Sequence, residues 1–202
     1  MLNWELEEEL QKKGYKLICG CDEAGRGPLC GPVVAGACIL PFGVEIKGLN
    51  DSKKLSEKKR EELFEIIQQT AVCCAVGSCS VEEIEQYNIL ECALLAMRRA
   101  VEKLDITPDY LLIDGNINRG FSQPSSAIIG GDAKSPNIAS ASILAKVTRD
   151  RICYELHEKY PQYNFAKHKG YATKEHREAI LKYGPCPEHR SLFLRKILSK
   201  NE

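Results

Sequence analysis

No apolar run in this 202-residue chain approaches the roughly 18 residues of a membrane-spanning helix. The amino terminus, MLNWELEEELQKKG, lacks the basic start and apolar stretch of a secretory signal and is instead acidic and amphipathic. A cytosolic protein with no membrane partner is therefore expected. There is no CxxC pair among the ten cysteines, and Cys19 with Cys21 has no matching second pair, which argues against structural zinc. Most cysteines lie inside apolar strand-like runs such as AVCCAVGSC at 71–79, so they read as small reduced core residues rather than disulfide partners. Repeats, linkers and low-complexity segments are also lacking. So is net charge, with 28 basic and 28 acidic residues, yet residues 146–202 hold 13 Lys and Arg against 7 Asp and Glu. The remainder is correspondingly acidic. Such runs are ordinarily solvated faces, but a basic part of this kind also suits a phosphate backbone.

At 44% hydrophobic, the chain can bury a full core as one domain, 1–202, with a core to about 160 and a helical region from about 161. The stretch around which the chain is organised runs from Leu17 to Leu40, KLICGCDEAGRGPLCGPVVAGACIL including Lys16. It reads as strand, acidic turn, strand, with Gly25, Gly27, Pro28, Gly31 and Pro32 forbidding a helix after Asp22 and Glu23. Neighbouring strand side chains point to opposite faces, so the two carboxylates are expected to share a task only if the chain leaves strand geometry there.

Leu2, Leu6 and Leu10 predict a short helix over 2–13, and Ser56 caps a helix through about 69 with Leu63, Phe64 and Ile67 as its stripe. A strand-like run follows at 71–80, where Ser80 and Glu83 form a capping box. The spacing of Leu90, Leu94, Met97, Val101 and Leu104 predicts an amphipathic helix. Tyr110–Ile113 form a buried strand ending in Asp114, and Ala127–Ile129 an apolar run ending in Gly-Gly-Asp132. Ser135 and Pro136 start a long helix to about 160, another runs from Thr173 to Gly184, and a basic amphipathic tail begins near Arg190. The order suggests a mixed sheet flanked by helices with a helical carboxyl-terminal part.

Three strand-like runs thus end in carboxylates: Asp22 with Glu23, Asp114, and Asp132. Strand ends are where open α/β sheets build their sites. Oxygen donors without neighbouring Cys or His motifs suit hard ions such as Mg²⁺ or Mn²⁺, two of which can drive phosphodiester hydrolysis. Asp before Gly or Asn is also plain turn chemistry, which is the competing reading for Asp114 and Asp132 taken singly.

Seven blocks, DEAGRGPLCGPVV, NDSKKLS, LLIDGN, GGDAKS, ASILAKVTRDR, KHKGYATKEH and GPCPEHR, occur in the order seen in bacterial ribonuclease HII, and the chain resembles that family over residues 22–190. The GRG after the acidic pair is similar to type HII rather than type HIII, whose continuation is GKGDYFGP-like, and no HIII-like amino-terminal domain is expected. The resemblance implies a ribonuclease H-like α/β fold, a five-stranded mixed sheet with helices on both sides and a carboxyl-terminal helical region. It implies cleavage of RNA in RNA–DNA hybrids and nicking of duplex DNA 5′ of an embedded ribonucleotide, leaving 3′-hydroxyl and 5′-phosphate ends. By motif position the catalytic and metal-binding carboxylates are Asp22, Glu23, Asp114 and Asp132, serving Mg²⁺ or Mn²⁺, with two ions in catalysis. Gly25, Arg26 and Gly27 are implied to read the 2′-hydroxyl through backbone groups, and Tyr171 to stack on the next sugar; a partly buried core tyrosine is the alternative. Ser52, Lys53, Lys54, Lys146, Arg149 and Lys169 are candidate phosphate contacts. Asp150, between two arginines, reads as an ion-pair or orienting residue. Cys30 departs from the family's usual alanine and raises the question of oxidation beside the site.

A monomer is expected, and the chain shows no clear sliding-clamp peptide. Two further readings are an actin-like or sugar-kinase-like ATPase domain, of whose paired phosphate loops IDGN offers half, and a non-catalytic nucleic-acid-binding module, which would not need four carboxylates.

Overall fold

Alternation of apolar strands and capped helices carries through to the tertiary structure, a computed structural model that describes residues 2–199. In chain order the elements are α1 (Glu5–Lys12), β1 (Ile18–Ala24), β2 (Val33–Ile39), α2 (Glu57–Thr70), β3 (Cys73–Cys79), α3 (Val81–Tyr87), α4 (Ile89–Glu102), β4 (Tyr110–Asp114), β5 (Ser125–Ile128), α5 (Pro136–Lys159), α6 (Phe165–His168), α7 (Lys174–Tyr183) and α8 (Ser191–Leu198). The last residues of the basic tail, 200–202, lie outside the described residues. Among those described, no helix is long and apolar enough to cross a membrane.

Local chemistry sets most boundaries. The Ser56 hydroxyl accepts the Lys59 N–H, Ser135 accepts that of Ile138, and Thr173 that of His176, each satisfying an orphan donor of a first turn. Ser80 and Glu83 form the full capping box. The helical stretch after Ser80 is interrupted at Asn88, whose φ of 73° ends α3 while its side chain caps α4.

The sheet order is β3-β2-β1-β4-β5. β2 is antiparallel to both β1 and β3, whereas β4 runs parallel to β1 and β5. Strand periodicity then sorts the faces. Cys19 and Cys21 of β1 join Val33, Ala35 and Ala37 of β2, and pack with Ala93, Ala96, Met97 and Ala100 of α4. The opposite face receives α5, with α2 laid over it through Leu63, Phe64 and Ile67. Each fully buried Leu, Ile or Met contributes about 1.5–3 kcal/mol, so this pair of layers dominates the fold's stability. Glycine decides how close α5 comes: a Cβ on Gly20 would lie 2.2 Å from the Asn137 backbone, and one on Gly36 2.3 Å from the Ala141 carbonyl. The carboxyl-terminal helices form a third cluster, in which Leu29, Cys30 and Leu156 pack with Tyr163, Phe165, Ile180 and Leu194.

Candidate active site

β1 continues past its neighbour. Its pairing with β4 stops at Cys21–Ile113, while its pairing with β2 carries on through Glu23–Ala35 and Ala24–Val34. Asp22 and Glu23 therefore stay in the strand, contrary to the expectation that the chain would turn there. They reach one cleft because the sheet ends on the β4 side, leaving that edge of the strand open. Asp114, the last residue of β4, lies across this opening.

Asp132 arrives from another direction. Gly130, with φ of 63°, turns the chain into a 3₁₀ turn, Gly131–Ala133, that buries Asp132 to 5% exposure. The Gly131 N–H donates to Asp114 Oδ1 at 2.7 Å, and Lys53 Nζ lies 3.4 Å from Asp132 Oδ2. Asp22, Glu23, Asp114, Gly25, Arg26, Gly27, Ser52, Lys53, Ser142, Lys146, Arg149 and Tyr171 line a cleft of about 210 Å³. Larger grooves elsewhere, of about 620, 440 and 760 Å³, contain one, two and one carboxylates against the three here, so charge rather than size marks the site.

The carboxylates strain one another. Burial holds the Asp22 carboxyl well above the ordinary range, and the nearby charges of Glu23 and Asp114 add to it against the Ser142 hydroxyl and Glu23 N–H. Glu23 is raised by burial despite the Arg26 guanidinium 3.2 Å away. Asp114 is raised by burial and by Asp132, partly offset by the Gly131 N–H. For Lys53, burial opposes the charge, but the carboxylates of Asp132 and Asp22 outweigh it and raise the amine. A cation among these oxygens relieves the repulsion. Among the described residues no three His, Cys, Asp or Glu side chains already converge on one point. The acidic side chains lining the cleft, Asp22, Glu23 and Asp114, offer oxygen donors alone, the chemistry that hard ions such as Mg²⁺ take.

The anticipated phosphate contacts divide. Lys53 is exposed at the cleft, whereas Lys54 faces the neighbouring 620 Å³ groove and pairs with Asp51 at 3.9 Å. Ser52 is buried, its hydroxyl 2.8 Å from that of Ser142. Lys146 sits 2.6 Å from Asp150, which Arg60 also approaches at 3.6 Å, so Asp150 is the ion-pair residue its sequence context suggests. Lys169 folds back to the Ala166 carbonyl and the Tyr154 hydroxyl, away from the cleft lining. Arg149 is 1% exposed and donates to the carbonyls of Cys30 and Lys169. It supports the Gly25–Gly31 loop from beneath and at the same time lines the cleft.

Tyr171 is 48% exposed, and its ring lies close enough to Gly27 that a Cβ there would sit 3.5 Å from it. The core-tyrosine alternative does not hold. Three buried histidines, which sequence reading left without a role, shape its segment. The Cys186 N–H donates to His189 Nδ1, so His189 Nε2–H donates to His176 Nε2 at 3.0 Å, and His176 Nδ1–H donates to the Tyr171 carbonyl at 2.9 Å. His168 accepts the Gly170 N–H and donates to the Tyr163 carbonyl. Their only sequence signal was membership of the KHKGYATKEH and GPCPEHR blocks. Cys30 is fully buried, and burial pushes its thiol far up, which answers the question of oxidation.

A five-stranded mixed sheet covered by helices on both faces, with carboxylates at the ends of its adjacent parallel strands, is a ribonuclease H-like fold. Solved structures agree. A ribonuclease H2 from Pyrococcus horikoshii OT3 superposes with a TM-score of 0.75 at 28% identity, covering 92% of this chain and 98% of that one. Bst-RNase HIII in complex with Mn²⁺ shares the fold at a TM-score of 0.74 and 18% identity, over 92% of this chain and 70% of its own. In sequence, the ribonuclease HII of Alkaliphilus metalliredigens is 52% identical over 200 residues, 96% of this chain and 98% of that protein. A family model described as Ribonuclease HII matches residues 19–196. The chain belongs to the ribonuclease HII family, and it is a ribonuclease H-type hydrolase, an endonuclease.

Proposed function

We propose that this protein hydrolyses the RNA strand of RNA–DNA hybrids and nicks duplex DNA on the 5′ side of an embedded ribonucleotide, leaving 3′-hydroxyl and 5′-phosphate ends. The observation that carries the reading is the meeting of Asp22, Glu23 and Asp114, with Asp132 tied to them through Lys53 and the neighbouring Gly131 amide, and of Gly25–Gly27 and Tyr171 around one cleft. Asp22, Glu23, Asp114 and Asp132 would hold two Mg²⁺ or Mn²⁺ ions; such ions supply an activated water and charge stabilisation at the departing oxygen. Lys53 and Lys146 neutralise phosphate charge at the rim. A phosphate with its metals looks alike in DNA and RNA, so selectivity needs the 2′-hydroxyl. The N–H groups of Arg26 and Gly27, on exposed residues and without a hydrogen-bond partner among the described residues, suit that oxygen. The exposed Tyr171 ring beside them packs on the following sugar and favours a deoxyribose. The protein works as one domain, as a monomer in the cytoplasm.

The test is a duplex DNA carrying one ribonucleotide, incubated with and without Mg²⁺ or Mn²⁺, its ends mapped on a sequencing gel. A metal-dependent nick 5′ of the ribonucleotide is expected. Cutting at deoxyribonucleotides, binding without cleavage, or cleavage that ignores chelator overturns the reading.

A further inference from the structure

Arg190 is fully buried, has no carboxylate partner among the described residues, and aims every guanidinium nitrogen at one loop. Its Nε donates to the Gly31 carbonyl at 3.0 Å, Nη1 to Arg26 at 3.2 Å and Pro28 at 2.9 Å, and Nη2 to Gly25 and Gly31 at 2.7 Å each. Burying a charge without a counter-ion is unfavourable, and the repulsion of nearby Arg149 makes it worse. Four backbone carbonyls are what compensates it.

Peptide geometry shows what that arrangement accomplishes. In a trans peptide unit the C=O of one residue and the N–H of the next point in opposite directions, and no described peptide bond is cis. Carbonyls of Gly25 and Arg26 drawn onto Arg190 therefore turn the N–H groups of Arg26 and Gly27 away from it. Neither N–H has a hydrogen-bond partner among the described residues, and both residues line the cleft. Pro28 follows the same rule with a visible outcome. With its carbonyl on Arg190, the Leu29 N–H faces the other way and donates to the Gly170 carbonyl at 2.8 Å, one residue before Tyr171. A single guanidinium thus sets two outward donors and joins their loop to the tyrosine segment.

We propose that Arg190 is a positioning residue for ribose recognition, aiming the Arg26 and Gly27 N–H groups at the 2′-hydroxyl oxygen of one nucleotide. The proposal rests on the reading of Gly25–Gly27 given above. Lysine cannot replace it, because three protons on one nitrogen do not span from Gly25 to Gly31.

The test uses the full chain in EDTA, so that binding is read without cleavage, and two duplexes differing by one ribose for deoxyribose. Amide NMR of the wild type is expected to show Arg26 and Gly27 shifting with the ribose duplex and not with the all-DNA duplex. Arg190→Lys, with its fold checked by the remaining amide resonances, is expected to lose these shifts and about tenfold in ribose preference, while binding all-DNA duplex normally. Phe193 is a second handle, since its half-buried ring lies 5.2 Å from the Arg190 guanidinium carbon. Phe193→Leu loosens the clamp without emptying it and should show the same loss to a smaller degree. Undiminished ribose preference in folded Arg190→Lys, or in Phe193→Leu should Arg190→Lys not fold, overturns the proposal. A wild type lacking ribose-specific shifts refutes instead the role of the loop itself.

Discussion

A methyl group at Gly36 has nowhere to go. Its Cβ would lie 2.3 Å from the Ala141 carbonyl oxygen and 3.1 Å from the Ala141 Cα, where ordinary contact begins near 3.4 Å, so α5 must withdraw by about 1.1 Å. Gly36 pairs with Asp22 across β1 and β2, and the next residue of α5 is Ser142, which lines the same cleft and whose hydroxyl favours the charged Asp22 carboxylate. Overpacking of this kind costs about 1–3 kcal/mol, and displacing active groups by ~1 Å costs on the order of 100-fold in rate. Gly77→Ala is the control: its Cβ would lie 2.3 Å from the Ala96 carbonyl oxygen of α4, which carries none of the proposed site residues. Urea unfolding should show similar losses for Gly36→Ala and Gly77→Ala. Cleavage of an RNA–DNA hybrid, measured per folded molecule, should fall about 10- to 100-fold in Gly36→Ala alone. Equal activity losses in the two variants, or full activity in a destabilised Gly36→Ala, would refute the claim that α5 is registered on the sheet for catalysis.

Asp114→Asn separates charge from shape. Burial, with Asp132, raises the Asp114 carboxyl, and a raised folded-state pKa stabilises below the unfolded value and loses that contribution as pH rises through the folded value. At neutral pH the variant is therefore expected to unfold at the same or higher urea concentration, while metal-dependent hybrid cleavage drops by about 100-fold or more; unchanged cleavage counts against the site. His176 and His189 behave oppositely, because burial holds each down to about 4 and keeps it neutral in the fold. Stability should fall as pH drops from about 6.5 towards 4, by roughly 1–2 kcal/mol more in wild type than in His176→Gln, and equal slopes in urea titrations contradict the assignment. Cys30, buried with its thiol raised, should resist iodoacetamide in the native protein, as read by peptide mass spectrometry; rapid labelling would show that the loop above it opens.

Much of the fold was legible because the signals were local. Ser56, Ser80, Ser135 and Thr173 cap helices wherever their sequences say so, since each satisfies a donor within three residues. Asp22, Glu23 and Asp114 stood out by ending apolar runs, and the structure brings them to one cleft. What misled was non-local. The acidic pair was expected to leave the strand, but the cleft opens because β4 stops pairing earlier than β2 does, a property of two neighbours rather than of the pair. Arg149 and Lys169 looked like surface cations by residue type, and only packing shows their charges turned onto backbone carbonyls.

The sequence by itself determined the element order, the capped helices, the carboxylate-ended strands and the family, because those are written in spacings of a few residues and in ordered motifs. Only the tertiary structure decided how loop and site are held. Arg190 is 159 residues from Gly31, yet they are joined at 2.7 Å, and the Gly131 amide reaches Asp114 across 17 residues. Hydrogen bonds over such separations depend on where the whole chain brings its ends, which no local pattern encodes.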